Sequence, residues 1–379
     1  MPDPAPRSAI LAPPSVSQDA ERERLNAILE KAGLGRPLGK PEQSTLAVAV
    51  VPVSGDPEEV VAALRRVLPE DDDVDVVQDY SVDTVDPDGK TKQSPPPTKE
   101  LFGDPLFKAT GLKSGHGTVT WTPIEQYEAP QRPPWPPVGR SPVVVVLDSG
   151  VRQHSWLPQT PDPSFFVVAD PGPSYGLPVP DPTRETHKPG AYWGHATFLA
   201  GLIRLKAPDA RVVSLRVMNN NGKLHSGDVV NALSWLHDEY LEKRGNAVDV
   251  VLMAFGRPQN PGEADQRSVR RLINKMVNGK GVQFVASAGN DHSHNETFPA
   301  CLGNVVGVGS GTSAADHEPY SNHGPWVDQW RPGTHVSLMP LTASDAEKGN
   351  GYAVWSGTSF SAAIVAAELA QKRAASGGS

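Results

Sequence analysis

Ser359 stands in Ser356-Gly-Thr-Ser-Phe-Ser-Ala-Ala363, two residues after a glycine and ahead of small, apolar residues that run to Ala370. That run reads as a buried helix. A hydroxyl at its start lies at the positive end of the helix dipole, which favours a nucleophile whose chemistry develops negative charge beside it. Taken alone, the tripeptide reads first as a helix cap supplied by Thr358 or Ser359. Three other residues give it company. Asp148 closes the apolar run Val143–Leu147, where a buried carboxylate requires a partner; a single Asp-Ser-Gly also reads as a turn or a cap. His195 sits in the first turn of an otherwise apolar helix, residues 193–203, so something polar must hold its ring, and Asp148 is the candidate. His154, His187, His225 and His237 lie in more polar settings and are weaker candidates. Asn290 ends the strand-like Ala286-Ser-Ala-Gly289. Its amide donates two hydrogen bonds without carrying charge, which suits a developing oxyanion. The alternative there is an asparagine favoured by a left-handed turn.

The elements that would position these residues belong to one pattern. Val143–Leu147 is a continuous apolar run, the signature of a strand buried on both faces. From there strands at 211–217, 248–255, 281–288 and 304–309 alternate with helices at 226–240 and 266–278. Alternation of this kind predicts an α/β fold, a mostly parallel sheet with helices on both faces. In such sheets the site lies outside the carboxyl ends of the strands, where Asp148 and Asn290 fall.

Upstream the character differs. Residues 1–18, rich in proline and serine, read as a disordered tail. Residues 19–84 read as a small α+β N-terminal module: a docking helix at 19–35 with Leu25, Ile28, Leu29 and Ala32 on one face, then a β-α-β piece at 45–80. A piece that small needs another surface to lie on. Residues 85–140 are a proline-rich linker whose Phe102, Leu106, Phe107 and Trp121 imply packing on the α/β domain that follows. That domain spans residues 141–373, and residues 374–379 are a tail. Pro158–Pro189 is an unplaced stretch that would suit an inserted rim loop.

A net charge of −8 with no basic run excludes the usual nucleic-acid binder. One cysteine, Cys301, excludes an intrachain disulfide. No stretch reaches the roughly 18 apolar residues of a membrane span. Met1-Pro-Asp-Pro-Ala-Pro-Arg has no apolar core to act as a secretory signal, so the expectation is a cytoplasmic protein.

Asp148, His195 and Ser359 follow the chain order known from subtilisin. Val146-Leu-Asp148-Ser-Gly150, Gly194-His195-Ala-Thr-Phe-Leu-Ala-Gly201 and Gly357-Thr-Ser359 together resemble the motifs of the subtilisin-like (subtilase) serine proteases. Asp249–Gly256 is similar to the family's substrate-pairing strand, and Ala286–Asn290 to its oxyanion segment. The resemblance implies a subtilisin-like fold and a serine endopeptidase acting on protein or peptide substrates. Ser359 would be the nucleophile, His195 the general base and then acid, Asp148 the orienting carboxylate and Asn290 the oxyanion donor. Ala254, Phe255, Gly256 and Gly289 would line the substrate. It implies no cofactor; structural Ca²⁺ stays open, since family members often bind it but no acidic loop here has a known ligand spacing. The 45–80 unit invites comparison with the family's inhibitory propeptide, or is a permanent docking module.

The chain also departs from the family. Ala196 stands where glycine is usual, Ala254-Phe255-Gly256 replaces Ser-Leu-Gly, and Phe360–Ala363 replaces Met-Ala-Ser-Pro. These changes are expected to bear on what is cut. The alternative function is an inactive subtilase-fold binding or regulatory protein; another is a processing protease with one dedicated substrate.

Overall fold

The computed structural model describes residues 140–152, 154, 156–157, 167–169, 192–218, 222, 224, 226–259, 264–340 and 351–376. Upstream it describes 7–11, 27–28, 30–33, 48–52, 63, 66–67, 75–79 and 122–123. In chain order the elements are β1 Arg7–Leu11, β2 Val48–Pro52, β3 Asp75–Asp79, β4 Thr122–Pro123, β5 Val143–Asp148, β6 Val167–Ala169, α1 His195–Lys206, β7 Arg211–Arg216 and α2 Ser226–Trp235. A π-helical segment, Leu236–Lys243, continues α2. Then come β8 Val250–Met253, β9 Arg257–Pro258, α3 Ala264–Lys280, β10 Gln283–Ser287, β11 Thr297–Phe298, β12 Val305–Ser310, β13 Gln329–Arg331, β14 Thr334–Leu338, β15 Tyr352–Ser356 and α4 Thr358–Ser376.

The chain forms two compact units. The first comprises Met1–Val82, Leu224–Asn246 and Asn260–Lys275. Within it β1, β2 and β3 form an antiparallel sheet in the order β2-β1-β3, against which α2 packs. Here one expectation is corrected. Residues 1–18 are not all tail: Arg7–Leu11 is the central strand, with Ile10 opposite both Ala49 and Val76. The strands expected near 46–53 and 73–77 exist, but each pairs with β1 and not with the other. Pairing across 40 to 70 residues leaves no local mark on a five-residue segment, since strand propensity is mostly context. Most of the expected docking helix at 19–35, of the helix between β2 and β3, and of the linker at 85–140 lies outside the described residues.

The second unit comprises Asp83–Lys223, Ala247–Gln259 and Met276–Ser379. Its centre is a seven-stranded sheet of order β13-β12-β10-β8-β5-β7-β6, parallel throughout. Each residue of β5 is buried, as its unbroken valine run predicts. In register, Val146 lies between Ser214 and Leu252. Parallel strands end together, so β5, β8 and β10 deliver Asp148, Ala254 and Asn290 to one edge. β6 arises inside the Pro158–Pro189 stretch, so that part of it is an edge strand of the main sheet rather than a rim loop. The pairing of β4 with β15 attaches part of the 85–140 segment to this unit. Among the described residues no helix is long and apolar enough to cross a membrane.

Helix α4 packs on β8, β10 and β12 and against α1. Ala362, Ala363, Ala366, Ala367 and Ala370 are all buried there; the small side chains let the helix lie close. On α1, Gly201 faces β14 so tightly that a Cβ would come within 2.6 Å of Leu338 Cγ.

His154 lies in the same core. Its Nδ1 accepts from Trp156 N at 3.2 Å and its Nε2 donates to Gly351 O at 3.1 Å, while the rings of Trp156 and Tyr352 meet it edge-on. It is a structural histidine in neutral form, and burial pushes its pKa below the ordinary 6.5. The unfolded chain therefore takes up the proton first. The contribution to stability is full above pH 6.5 and is lost as pH falls toward the folded value. Urea unfolding of a Ser359→Ala chain between pH 8 and 5 should show the midpoint dropping below about pH 6.5. His154→Gln should flatten that drop. An unchanged slope would remove His154 as its source.

Candidate active site

The loop after β5 and the start of α1 are built as one piece. Helix α1 begins behind Gly194, which offers no side-chain cap. Ser149 supplies the missing acceptor from the other segment: its Oγ receives the amide of Ala196 at 3.2 Å. Thr197 Oγ1 in turn accepts from Arg152 N at 2.9 Å. These ties set the first residue of α1 against the last residue of β5. His195 Nδ1 lies 2.9 Å from Asp148 Oδ1 and 3.0 Å from Oδ2, and both side chains are fully buried. A carboxylate only accepts, so Nδ1 carries the proton and Nε2 keeps the lone pair. Asp148 also accepts from Ser149 N at 2.7 Å, so it is neither a simple turn residue nor a cap.

The imidazole is walled by rings. Trp355, Phe360 and Tyr192 stand 5.4, 5.5 and 5.6 Å from it, centroid to centroid. Phe198 backs the group, 4.5 Å from Phe360 and 5.6 Å from Trp355. Phe360 was expected to influence what is cut. It is wholly buried and lies behind the histidine. The neighbouring Ser361 also points inward, donating to Arg331 O at 2.8 Å.

Ser359 is the second residue of α4 and is 3 % exposed. Its Oγ donates to Ala254 O at 3.1 Å. Among the described residues His195 Nε2 has no hydrogen-bond partner. The serine thus rests on the carbonyl just past the end of β8. Neither hydroxyl of the Thr358-Ser359 pair is a plain cap. Thr358 Oγ1 donates to Asn290 Oδ1 at 2.9 Å and accepts from Gly289 N at 3.1 Å, and Thr358 N also donates to Asn290 Oδ1 at 2.9 Å.

Those bonds settle which end of the Asn290 amide is the acceptor, leaving its NH₂ as the donor end. Among the described residues only His292 has positive φ outside glycine, so Asn290 is not there for a left-handed turn. Gly289, at φ 101, takes that conformation instead. Of the expected substrate-lining residues, Phe255 is buried. A Cβ on Gly256 would meet Thr297 Cγ2 at 2.6 Å and Phe298 O at 3.0 Å, so the glycine lets the chain after β8 lie close against β11. His237 belongs to the first unit and pairs with its neighbour Asp238 at 2.6 Å. His187 and His225 lie outside the described residues. Ser149, Tyr192, Phe198 and Trp355 were not singled out from sequence; only the aromatic residues beside the two motifs hinted at them.

A buried Asp–His pair, a serine opening a small-residue helix and an asparagine amide, all at the carboxyl edge of a parallel sheet, define a subtilisin-like α/β protein. Residues 139–377 match the subtilase family, and the chain belongs to that family. It is 30% identical over 184 residues to a thermophilic serine proteinase of Bacillus sp. (strain AK1), covering 48% of this chain and 40% of the relative. It is 28% identical over 272 residues to an extracellular protease of Xanthomonas campestris pv. campestris, covering 63% and 45%. The latter's name lends no support to a cytoplasmic location. A cold adapted subtilisin-like serine proteinase of known structure superposes with a TM-score of 0.46 at 25% identity, over 67% of this chain and 84% of the other. The chain spans less than half the length of the two relatives named from sequence.

Proposed function

We propose that this chain is a serine endopeptidase that hydrolyses peptide bonds in protein or peptide substrates through an acyl-enzyme. The observation that carries this is the Asp148–His195 pair, whose Nε2 has no hydrogen-bond partner among the described residues, set at the same sheet edge as the hydroxyl of Ser359. Ser359 Oγ attacks the scissile carbonyl carbon while His195 Nε2 takes its proton. Asp148 holds the tautomer and stabilises the imidazolium; it does not itself become protonated. The tetrahedral oxyanion is met by the Asn290 amide and the Ser359 backbone N–H. His195 then gives its proton to the leaving amine, and water repeats the sequence to release the acid. Ala254, Phe255, Gly256 and Gly289 line the bound chain.

A fluorophosphonate probe tests the reading. The expected result is labelling of the native chain at Ser359 and none in Ser359→Ala. Absence of labelling on the native chain would favour the inactive, binding-protein alternative. Asn290→Leu is expected to lower kcat about 10²- to 10³-fold with KM little changed, the loss of one oxyanion donor. Peptide hydrolysis measured by steady-state kinetics checks it, and a rise in KM alone would assign Asn290 to ground-state binding.

A further inference from the structure

Beyond Asn290 two loops gather four imidazoles outside the catalytic residues. His292 and His294 follow Asn290, and His317 and His323 come from the segment between β12 and β13. One ring nitrogen from each of His292, His317 and His323 lies within 4.8 Å of the others. His294 Nε2 lies 3.0 Å from His323 Nε2. The outer contacts set the tautomers. His317 Nδ1 is 3.1 Å from the carbonyl of Glu318, and His323 Nδ1 is 3.1 Å from the carbonyl of Ser321. A carbonyl only accepts, so Nδ1 holds the proton in both rings and Nε2 keeps its lone pair. A backbone carbonyl on the far nitrogen is the usual support of a metal-ligating histidine.

The backbone beneath is stitched. His292 N donates to Tyr320 O, and His323 N to Ser293 O, both at 2.9 Å. Asn322 Oδ1 accepts from Asp291 N at 2.9 Å and from Ser293 N at 3.0 Å. His292 is held at φ 51, a conformation that side chains with a Cβ seldom adopt and that persists where surrounding bonds impose it.

We propose that His292, His317 and His323, with His294 as fourth ligand, form a site for a zinc-like divalent transition-metal ion. Imidazole suits such ions, whereas Ca²⁺ and Mg²⁺ take oxygen ligands, and no carboxylate belongs to the group. Zn–N bonds of about 2.0–2.1 Å place tetrahedral ligands about 3.3 Å apart. The widest pair must therefore draw in by about 1.5 Å, and the stacked rings of His317 and His323, 4.1 Å apart, must splay. His292 is exposed and the other two are half-buried, which gives an ion a way in. Once bound, it ties the segment carrying Asn290 to residues 317–323 without touching the reacting atoms.

The test uses the full chain as Ser359→Ala, so that self-cleavage plays no part, stripped with a chelator and titrated with ZnCl₂ by calorimetry. The expected result is one saturable ion per chain, with a Tm that climbs with free Zn²⁺ as linkage requires. Co²⁺ in its place should give the visible absorption of a tetrahedral ion. His292→Asn with His323→Gln should weaken binding by more than the about 10- to 100-fold that loss of an outer-shell partner costs, with the metal-free Tm unchanged. Asparagine at 292 accepts the left-handed backbone. His317→Gln carries the same test if the double variant fails to fold. No saturable Zn²⁺ binding, equal affinity in the variants, or displacement of Zn²⁺ by Ca²⁺ would overturn the proposal. None of these readouts involves hydrolysis, so the fate of the peptidase reading is decided separately.

Discussion

Replacing Ser359 with alanine is expected to remove peptide hydrolysis by about a millionfold, the scale of losing the nucleophile in subtilisin itself. The hydroxyl opens a helix whose first-turn amides face any charge that forms beside it, and the Asn290 amide is oriented by two bonds from the adjacent Thr358. The variant keeps all of this and loses only the attacking oxygen. Among the described residues the Ser359 Oγ makes one hydrogen bond, to Ala254 O, and a single neutral bond is worth about 1 kcal/mol. The folded state should therefore survive, and residual turnover should reflect binding and oxyanion stabilisation alone. Steady-state assays on a peptide substrate read the loss, and thermal unfolding checks the fold. Intact mass on the native and variant proteins tests a related point. A shorter native product, absent in the variant, would mark self-cleavage and locate the boundary of the N-terminal unit. Activity within tenfold of native would dismiss Ser359 as nucleophile.

Asp148→Asn is expected to lower kcat about 10⁴-fold and to leave KM near its native value, because Asp148 is fully buried against the histidine and offers no exposed surface to a substrate. Both carboxylate oxygens lie within 3.0 Å of His195 Nδ1. An amide can offer one oxygen at most. If it turns its NH₂ toward Nδ1, the ring must shed that proton and carry it on Nε2, where a base is required. The imidazolium formed during attack also loses its buried counter-charge. In the double variant with Ser359→Ala the expected further loss is close to none, since the two residues act as a unit. Additive losses would mean that Asp148 supports the fold rather than the reaction.

The parts of this arrangement that sequence made legible are those written locally. The valine run of β5, the apolar turn after His195 and the alanines of α4 each state their own burial, and the residues at their ends inherit a place at the sheet edge. What was not legible depends on distant chain. Arg7–Leu11 gains its strand from partners at 48–52 and 75–79. Val167–Ala169 becomes a strand only beside β7. Ser149 caps a helix that starts at residue 195. The four histidines lie in pairs about 25 residues apart, and only the stitched loops bring them together. Phe360 follows Ser359 in sequence, yet its ring packs on Phe198 of α1, a neighbour that local sequence does not name.

The ring wall around His195 sets how protons travel. With Tyr192, Trp355 and Phe360 closing three sides and Asp148 holding Nδ1, the imidazole cannot swing out to trade its proton with bulk water. Nε2 is the one ring nitrogen left without a hydrogen bond among the described residues. In the proposed reaction a proton taken from the serine would leave through the atom by which it entered, so enclosure as much as basicity would direct it to the departing amine, and a smaller residue at 355 would loosen that enclosure.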